Sequence, residues 1–372
     1  MPNIDSASLN ALTNGVLALA FALSVCFGAI AQRTHFCAMG ALSDVALMGD
    51  WSRMRQWALA AGVAMMGFAL LAGTGLLDPA QTLYAASRWS WLSAAVGGFL
   101  FGVGMVFASG CGSKTLVRLG AGNLKSLVVF VVMALAALAT LRGLTAVLRI
   151  NTVDQVAIDM AAGTRLPQWA GAMLGWDVQA VTLWAGLLLG GALVLWAMRH
   201  ADFRRFDNLL AGFGLGAIVT AMWFASAVLG YVPEHPDTLQ PAFVATNSGR
   251  AEALSFTAPL AYTLDWLLFY SDKSRVLTLG IVSVLGVVLG SSISAIASGS
   301  FRWEGFGGVQ DLGNHLVGAL LMGVGGVTAL GCTVGQGLSG ISTLSLTSLV
   351  AVAAIMAGGM AALRLQARYM GV

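Results

Sequence analysis

From Leu312 to Leu363 the chain holds no Asp, Glu, Lys or Arg, a run long enough for two passages through a hydrocarbon core, each of which needs about 20 apolar residues. Six more uncharged runs of spanning length precede it: Ser6–Gln32, Gln56–Leu77, Trp89–Ser113, Val178–Met198, Asn208–Pro233 and Val276–Phe301. In a soluble domain about a quarter of the residues are charged. Here 9% are charged against 58% hydrophobic, with a mean hydropathy of +0.83. The expected fold is an all-α polytopic membrane protein.

The net charge of +3 is small, so its placement carries the information. Basic clusters stand at Arg53/Arg55, Lys114/Arg118/Lys125, Arg199/His200/Arg204/Arg205, Lys273/Arg275 and Arg364/Arg368. All are expected in the cytoplasm, because cytoplasmic loops carry an excess of Lys and Arg. The loops at Asp78–Arg88, Gly143–Asp177 and Glu234–Glu252 carry acidic residues and several prolines and are expected outside, with amphipathic parts of Gly143–Asp177 lying at the interface. The N-terminus is then expected outside and the C-terminus inside. Asp5, with no basic residue before Arg33, argues against a cleaved signal peptide.

One segment occurs twice. With Cys111 laid on Cys332, the pattern G-x-G-x-x-x-A-x-G-C of Gly102–Cys111 returns as Gly323–Cys332. Each copy is an apolar, glycine-rich helix that runs into a Gly-Cys pair. The tail that follows is too rich in glycine to stay helical in lipid unless something polar lines it. Gln32–Asp44 is too polar for lipid and too apolar for a free loop, which is how a re-entrant segment reads, and Ala297–Gly308 is expected to be its counterpart. Spans are expected near Leu12–Ala31, Trp57–Leu77, Ser126–Leu141, Val178–Met198, Asn208–Tyr231, Pro259–Tyr270, Leu277–Ser298 and Ser345–Leu363, besides the two Gly-Cys helices. The chain divides into halves 1–177 and 178–372, expected to be pseudo-symmetric and inverted, with four interrupted segments meeting near mid-membrane. Glycine-interrupted segments at matching places in two halves point to a transport path.

Cys26, Cys37, Cys111 and Cys332 lie in or beside apolar segments, without the C-x-x-C or Cys/His spacing of a zinc site or the context of a disulfide framework. A lone free cysteine is most often packing, and Cys26 is read so. Cys111 and Cys332 differ, because each follows a glycine, Gly110 or Gly331, at the same repeat position. Cys37 closes the polar run that begins at Gln32. A thiol in such a place offers an S–H donor while staying neutral. Arg33, the only charge between Asp5 and Asp44, either anchors to headgroups or draws an anion to a pore mouth. Lys114 and Arg118 fit either the positive-inside bias or reception of an anion, Arg302, Asn314 and His315 are similarly ambiguous, and a lone His35 is more often structural than a relay. Gly110–Thr115 imitates a phosphate-binding loop, but Ser113 separates glycine from Lys114 and no strand precedes it, so neither ATP nor another cofactor is expected. An ion cannot enter hydrocarbon unaided. Backbone N–H groups, hydroxyls and thiols at chain breaks therefore read as a permeation path for a small anion.

Gln32-Arg33-Thr34-His35-Phe36-Cys37, with Gly102–Cys111 and Gly323–Cys332, resembles the YeeE/YedE family of bacterial inner-membrane sulphur-compound transporters over nearly the whole chain. The resemblance implies an hourglass-like helical fold of two pseudo-symmetric halves with about nine transmembrane helices and re-entrant segments, and uptake of thiosulfate rather than enzymatic turnover. It also implies a relay of the anion by S–H···S hydrogen bonds among three cysteines, which by motif are Cys37, Cys111 and Cys332. A small TusA-like sulfurtransferase partner is implied too, alongside membrane lipid and with no role for nucleic acid. Alternatives are a selenium compound as cargo, a structural membrane subunit, or an intramembrane thiol redox protein. The last would need two cysteines able to reach disulfide distance and an electron partner.

Overall fold

The computed structural model describes residues 6–236 and 238–370; Asp5, used above in reading the N-terminus, lies outside them. The chain shuttles between two ends of a helical bundle, here termed upper, where α1 begins, and lower. Helix α1 (Ser6–Arg33) descends, and α2 (Ala38–Ser43, continued by a π-helical turn to Met48) follows it at the lower end. Helix α3 (Ser52–Gly73) rises and α4 (Trp91–Phe107) descends. The short α5 (Gly112–Gly120) leads to the lower end, and α6 (Leu124–Arg142) rises. Helices α7 (Leu144–Asn151) and α8 (Leu166–Leu174) sit at the upper end, and α9 (Val178–Met198) descends. Helix α10 (Phe206–Leu229), with two π-helical turns, rises to the extended segment before α11 (Thr257–Leu268). Helix α12 (Leu279–Ala297) descends and α13 (Val309–Thr328) rises. A second short helix, α14 (333–342), is π-helical over Gly335–Gly340, and α15 (Leu346–Met370) descends. Two antiparallel two-residue ribbons, β1 (Arg88–Trp89) with β2 (Ile158–Asp159) and β3 (Tyr231–Val232) with β4 (Ala242–Phe243), close the upper end.

Among the described residues eight helical stretches are long and apolar enough to cross a bilayer, α1 with α2 and α4 with α5 each counting once. Helix α13 is a further helix of spanning length, made more polar by Asp311, Asn314 and His315 near its start. Lipid tails are as apolar as leucine, so close packing must hold such helices together, and small residues permit it. A Cβ at Gly290 of α12 would stand 1.9 Å from the Val25 carbonyl oxygen of α1. Helices α4 and α13 run antiparallel through four glycines, Gly97 against Gly325 and Gly104 against Gly318. Helix α15 runs alongside α4 in the same direction, where Gly98 meets Ala351 and Gly102 meets Ile355.

Several expectations are corrected. Pro259–Tyr270 is no span: α11 has 12 residues, about 18 Å at 1.5 Å per residue, against about 30 Å of hydrocarbon. Ala297–Gly308 is not a re-entrant partner of Gln32–Asp44. After α12 ends, it forms a strap over the turn following α5, where Arg302 N–H donates to Ala121 O (3.2 Å) and Leu124 N–H to Glu304 O (2.9 Å). The interrupted segment of the second half is α11 instead. The turn carrying Lys273 and Arg275 lies at the upper end, opposite Lys114 and Lys125, because Leu279 N–H donates to Ala245 O (2.7 Å) and Asn247 to the Thr278 hydroxyl (2.9 Å). Arg275 pairs there with Asp265 (3.0 Å) and Asp272 (3.6 Å), so its charge is balanced locally. Cys26 does not pack in the core but is exposed on α1.

Gly143–Asp177 also sits at the upper end and is tied to the segment between α14 and α15. Leu346 N–H donates to Thr164 O (2.9 Å), and the guanidinium of Arg165, 1% exposed, donates to Thr343 O (3.2 Å).

Candidate functional site

Three cysteines sit at the same kind of chain break. Two residues before each, a side-chain-bearing residue adopts a left-handed backbone: His35 (φ 53°), Ser109 (φ 54°) and Leu330 (φ 58°). Such a conformation costs about 1–3 kcal/mol and persists only where the surroundings impose it. One helix ends there, the chain extends, and the cysteine begins a new half-helix. Cys37 (φ −160°, ψ 126°) caps α2, and its sulfur accepts the Gly40 N–H at 3.4 Å. Cys111 (φ −82°, ψ 176°) starts α5, with its sulfur 3.3 Å from the Ser113 hydroxyl. Cys332 starts α14 and accepts the Gly335 N–H at 3.4 Å. The fourth half-helix, α11, begins after Phe256, whose N–H lies against the Cys332 sulfur.

All four half-helices point their N-termini at the middle of the bundle, α2 and α5 leading from there to the lower end, α11 and α14 to the upper. Helix N-termini present unsatisfied N–H groups and the positive pole of the helix dipole, worth about 0.3–1 kcal/mol each to a nearby anion and up to ~2 in partly buried geometry. The Cys37 thiol faces the Cys111 thiol, the Thr333 hydroxyl stands beside Cys111, and Cys332 lies within electrostatic reach of Cys111. All three cysteines are buried, and Gly112 packs against Met133 and Phe256 at the same level. Phe36 stacks on Trp57 with 4.5 Å between centroids, and Tyr84 Oη donates to Gly335 O at 2.6 Å, fixing α2 and α14.

Two cavities approach this layer from opposite ends. The lower one, about 720 Å³, is lined by Gln32, Gly110, Lys114, Arg118, Arg302 and His315 among others. The Arg118 guanidinium donates to the Ser109 carbonyl at 2.7 Å and so holds the first break. Lys125 is neutralised by Asp311 (2.9 Å) and Glu304 (3.8 Å), whereas Lys114 has no carboxylate within ion-pair distance among the described residues and stands within electrostatic reach of Cys37 and Cys111. The upper cavity, about 150 Å³, reaches Leu330 and Gly331 and carries Arg149, Glu252 and Tyr262.

Of the residues singled out in the sequence, Cys37, Cys111 and Cys332 lie in the central layer. Gln32, Gly110, Lys114, Arg302 and His315 line the lower cavity and Gly331 the upper. Arg33 lines neither but borders a further cavity that shares Gln32, His35 and Ser300 with the lower one; 58% exposed, it pairs with Asp207 at 3.0 Å and covers the Phe206 ring. Asn314 is exposed on α13 and lines neither cavity. Sequence reasoning missed Phe256, Thr333, Tyr84 and Glu252. Pro259, inside the first turn of α11, is the signal that could have placed a helix start at Thr257. No group of residues able to hold a metal ion occurs among the described residues.

Spanning helices interrupted within the bundle, with a polar cavity at the lower end and a smaller, largely apolar one at the upper, fit a multi-pass membrane transporter. The chain belongs to the Sulphur transport family, whose model matches residues 33–361. It is 28% identical over 319 residues to the thiosulfate transporter TsuA of Escherichia coli, covering 84% of this chain and 83% of that protein. It is 26% identical over 333 residues to the thiosulfate transporter TsuA of Spirochaeta thermophila, covering 87% of this chain and 91% of that protein. The protein is a transporter of sulphur compounds, not an enzyme.

Proposed function

We propose that this protein takes up thiosulfate, or a closely related sulphur oxyanion, across the bacterial inner membrane by a path from the upper cavity past Cys332, Cys111 and Cys37 to the lower cavity. The relatives named as thiosulfate transporters support the cargo. The observation that carries the path is the convergence of four half-helix N-termini on three buried sulfhydryls between two cavities. A dianion leaving water needs its hydration replaced. Backbone N–H groups, the hydroxyls of Ser113 and Thr333, and S–H donors supply that shell, and Lys114, without a carboxylate partner among the described residues, adds a positive charge within reach of Cys37 and Cys111. Hydrogen bonds to a charged partner are worth about 1.5–3 kcal/mol each.

The halves 1–177 and 178–372 are related by inversion in this proposal. Supporting it, α4 and α5 descend where α13 and α14 rise, and α2 descends where α11 rises. The greater share of Lys and Arg at the lower end supports a cytoplasmic lower face, which puts the N-terminus in the periplasm and the C-terminus in the cytoplasm. The lower cavity would then hand the anion to a cytoplasmic acceptor such as a TusA-like sulfurtransferase.

The test is uptake of radiolabelled thiosulfate by cells lacking other sulphate and thiosulfate permeases. Cys111→Ala and Cys332→Ala are each expected to abolish uptake at unchanged membrane abundance. Normal uptake in either variant would rule the thiol path out.

A further inference from the structure

The upper cavity contains one carboxylate, Glu252, among its lining residues. Glu252 lies on the extended segment between α10 and α11, outside the spanning helices. Its main chain is fixed by donation to the Ser226 hydroxyl (2.9 Å), and its carboxylate accepts from Asn247 N–H (3.2 Å) and the Ser248 hydroxyl (3.4 Å). No Lys or Arg nitrogen comes within ion-pair distance of it among the described residues. The charged and titratable groups around it are otherwise engaged. Arg149 of α7 pairs with Asp154 at 3.3 Å, and Arg250 donates to the carbonyl of Ala85 at 2.6 Å. Arg142, at the end of α6, faces Tyr262 of α11, and the phenols of Tyr262 and Tyr84 are neutral. The same small cavity extends to Ser255, Leu330 and Gly331, next to Cys332. A route from the upper end toward Cys332 through this cavity runs past the carboxyl group.

We propose that Glu252 is a protonation gate at the upper mouth: as a neutral carboxyl it donates a hydrogen bond to the arriving anion, and as a carboxylate it repels it. The gate rests on the thiol path proposed above. Desolvation of the half-buried Glu252 carboxyl in this largely apolar cavity pushes it up to about 7, so its charge changes within the physiological range. Thiosulfate stays a dianion over that range, and any pH dependence near neutrality must come from the protein. A single group titrating near pH 7 is about nine-tenths protonated one unit below and one-tenth one unit above, so uptake falls roughly tenfold between pH 6 and pH 8. The fall appears in Vmax/KM, since the gate acts on access.

The experiment is thiosulfate uptake into proteoliposomes at external pH 6, 7 and 8 with the internal pH fixed. The proteins compared are the wild type, Glu252→Gln, Glu252→Asp and Cys111→Ala. Glu252→Gln retains the acceptor for Asn247 N–H, and its elution on size exclusion reports folding. The expected result is a wild-type profile that falls with pH, a flat Glu252→Gln profile at the wild-type pH 6 level, and a retained fall in Glu252→Asp. A flat wild-type profile, or an undiminished slope in Glu252→Gln, overturns the gate. Loss of uptake in Cys111→Ala at pH 6 beside a flat wild-type profile defeats the gate and leaves the path standing, whereas normal uptake in Cys111→Ala defeats both.

Discussion

Gly104 and Gly191 are both helical glycines, yet alanine is expected to act on them with opposite sign. At Gly104 of α4 a Cβ would stand 2.7 Å from Gly318 O, 2.8 Å from Met322 N and 2.9 Å from Leu321 Cβ of α13. Two of these atoms are backbone and cannot swing away. Ordinary contact would require the helices to part by about 0.7 Å, and overpacking of this kind costs about 1–3 kcal/mol. At Gly191 of α9 a Cβ would meet nothing within 4 Å, so alanine gains about 0.5–1 kcal/mol from helix preference alone. Helices α4 and α13 also lead into the breaks at Ser109 and Leu330, so parting them displaces Cys111 relative to Cys332. In detergent, followed by intrinsic tryptophan fluorescence, Gly104→Ala is expected to melt several degrees below the wild type and to lose most thiosulfate uptake. Gly191→Ala is expected to melt at or above the wild type with full uptake. Equal melting of the two variants would refute the claim that glycine contact between α4 and α13 sets the spacing of the breaks.

Arg118→Ala removes the donor to the Ser109 carbonyl (2.7 Å); a charge-assisted bond of this kind is worth about 1.5–3 kcal/mol, and uptake is expected to fall at least tenfold when measured in proteoliposomes. Gly122→Ala meets both a left-handed backbone (φ +94°) and the Arg302 carbonyl at 2.6 Å, and should lower stability by about 1–3 kcal/mol in a thermal melt. Glu252, raised from 4.5 to about 7, holds a proton in the folded state that the unfolded chain has released. Its contribution to stability is therefore complete below pH 4.5 and declines as pH rises through 7, and Glu252→Gln should flatten that part of a Tm-versus-pH curve.

Much of the bundle was legible because uncharged runs and spanning helices overlap, coinciding at Val178–Met198 for α9 and lying four residues apart at each end for Gln56–Leu77 against α3. The breaks at Cys111 and Cys332 were legible because the motif is repeated. Phe256 was not: it begins a half-helix as the cysteines do, but it is apolar, so the residues after it read as one more span. Gly, Ser and Arg made Ala297–Gly308 look like a broken helix, yet composition does not encode which turn a strap will cross. The left-handed residues were invisible for a related reason. Ser109 and Leu330 have no intrinsic preference for that backbone, and only the packing of the helices around them imposes it. Glu252 read as one more acid of an external loop because its place in the apolar upper cavity is a property of the assembled fold.

A cryo-electron microscopy map of the protein in nanodiscs with saturating thiosulfate tests the solvation role of the sulfhydryls most directly. The thiol path predicts density for a tetrahedral anion between the Gly110–Cys111 and Gly331–Cys332 breaks, within hydrogen-bond reach of at least one of those sulfurs. Density confined to other surfaces, with Cys111 and Cys332 sealed by apolar side chains, would contradict it.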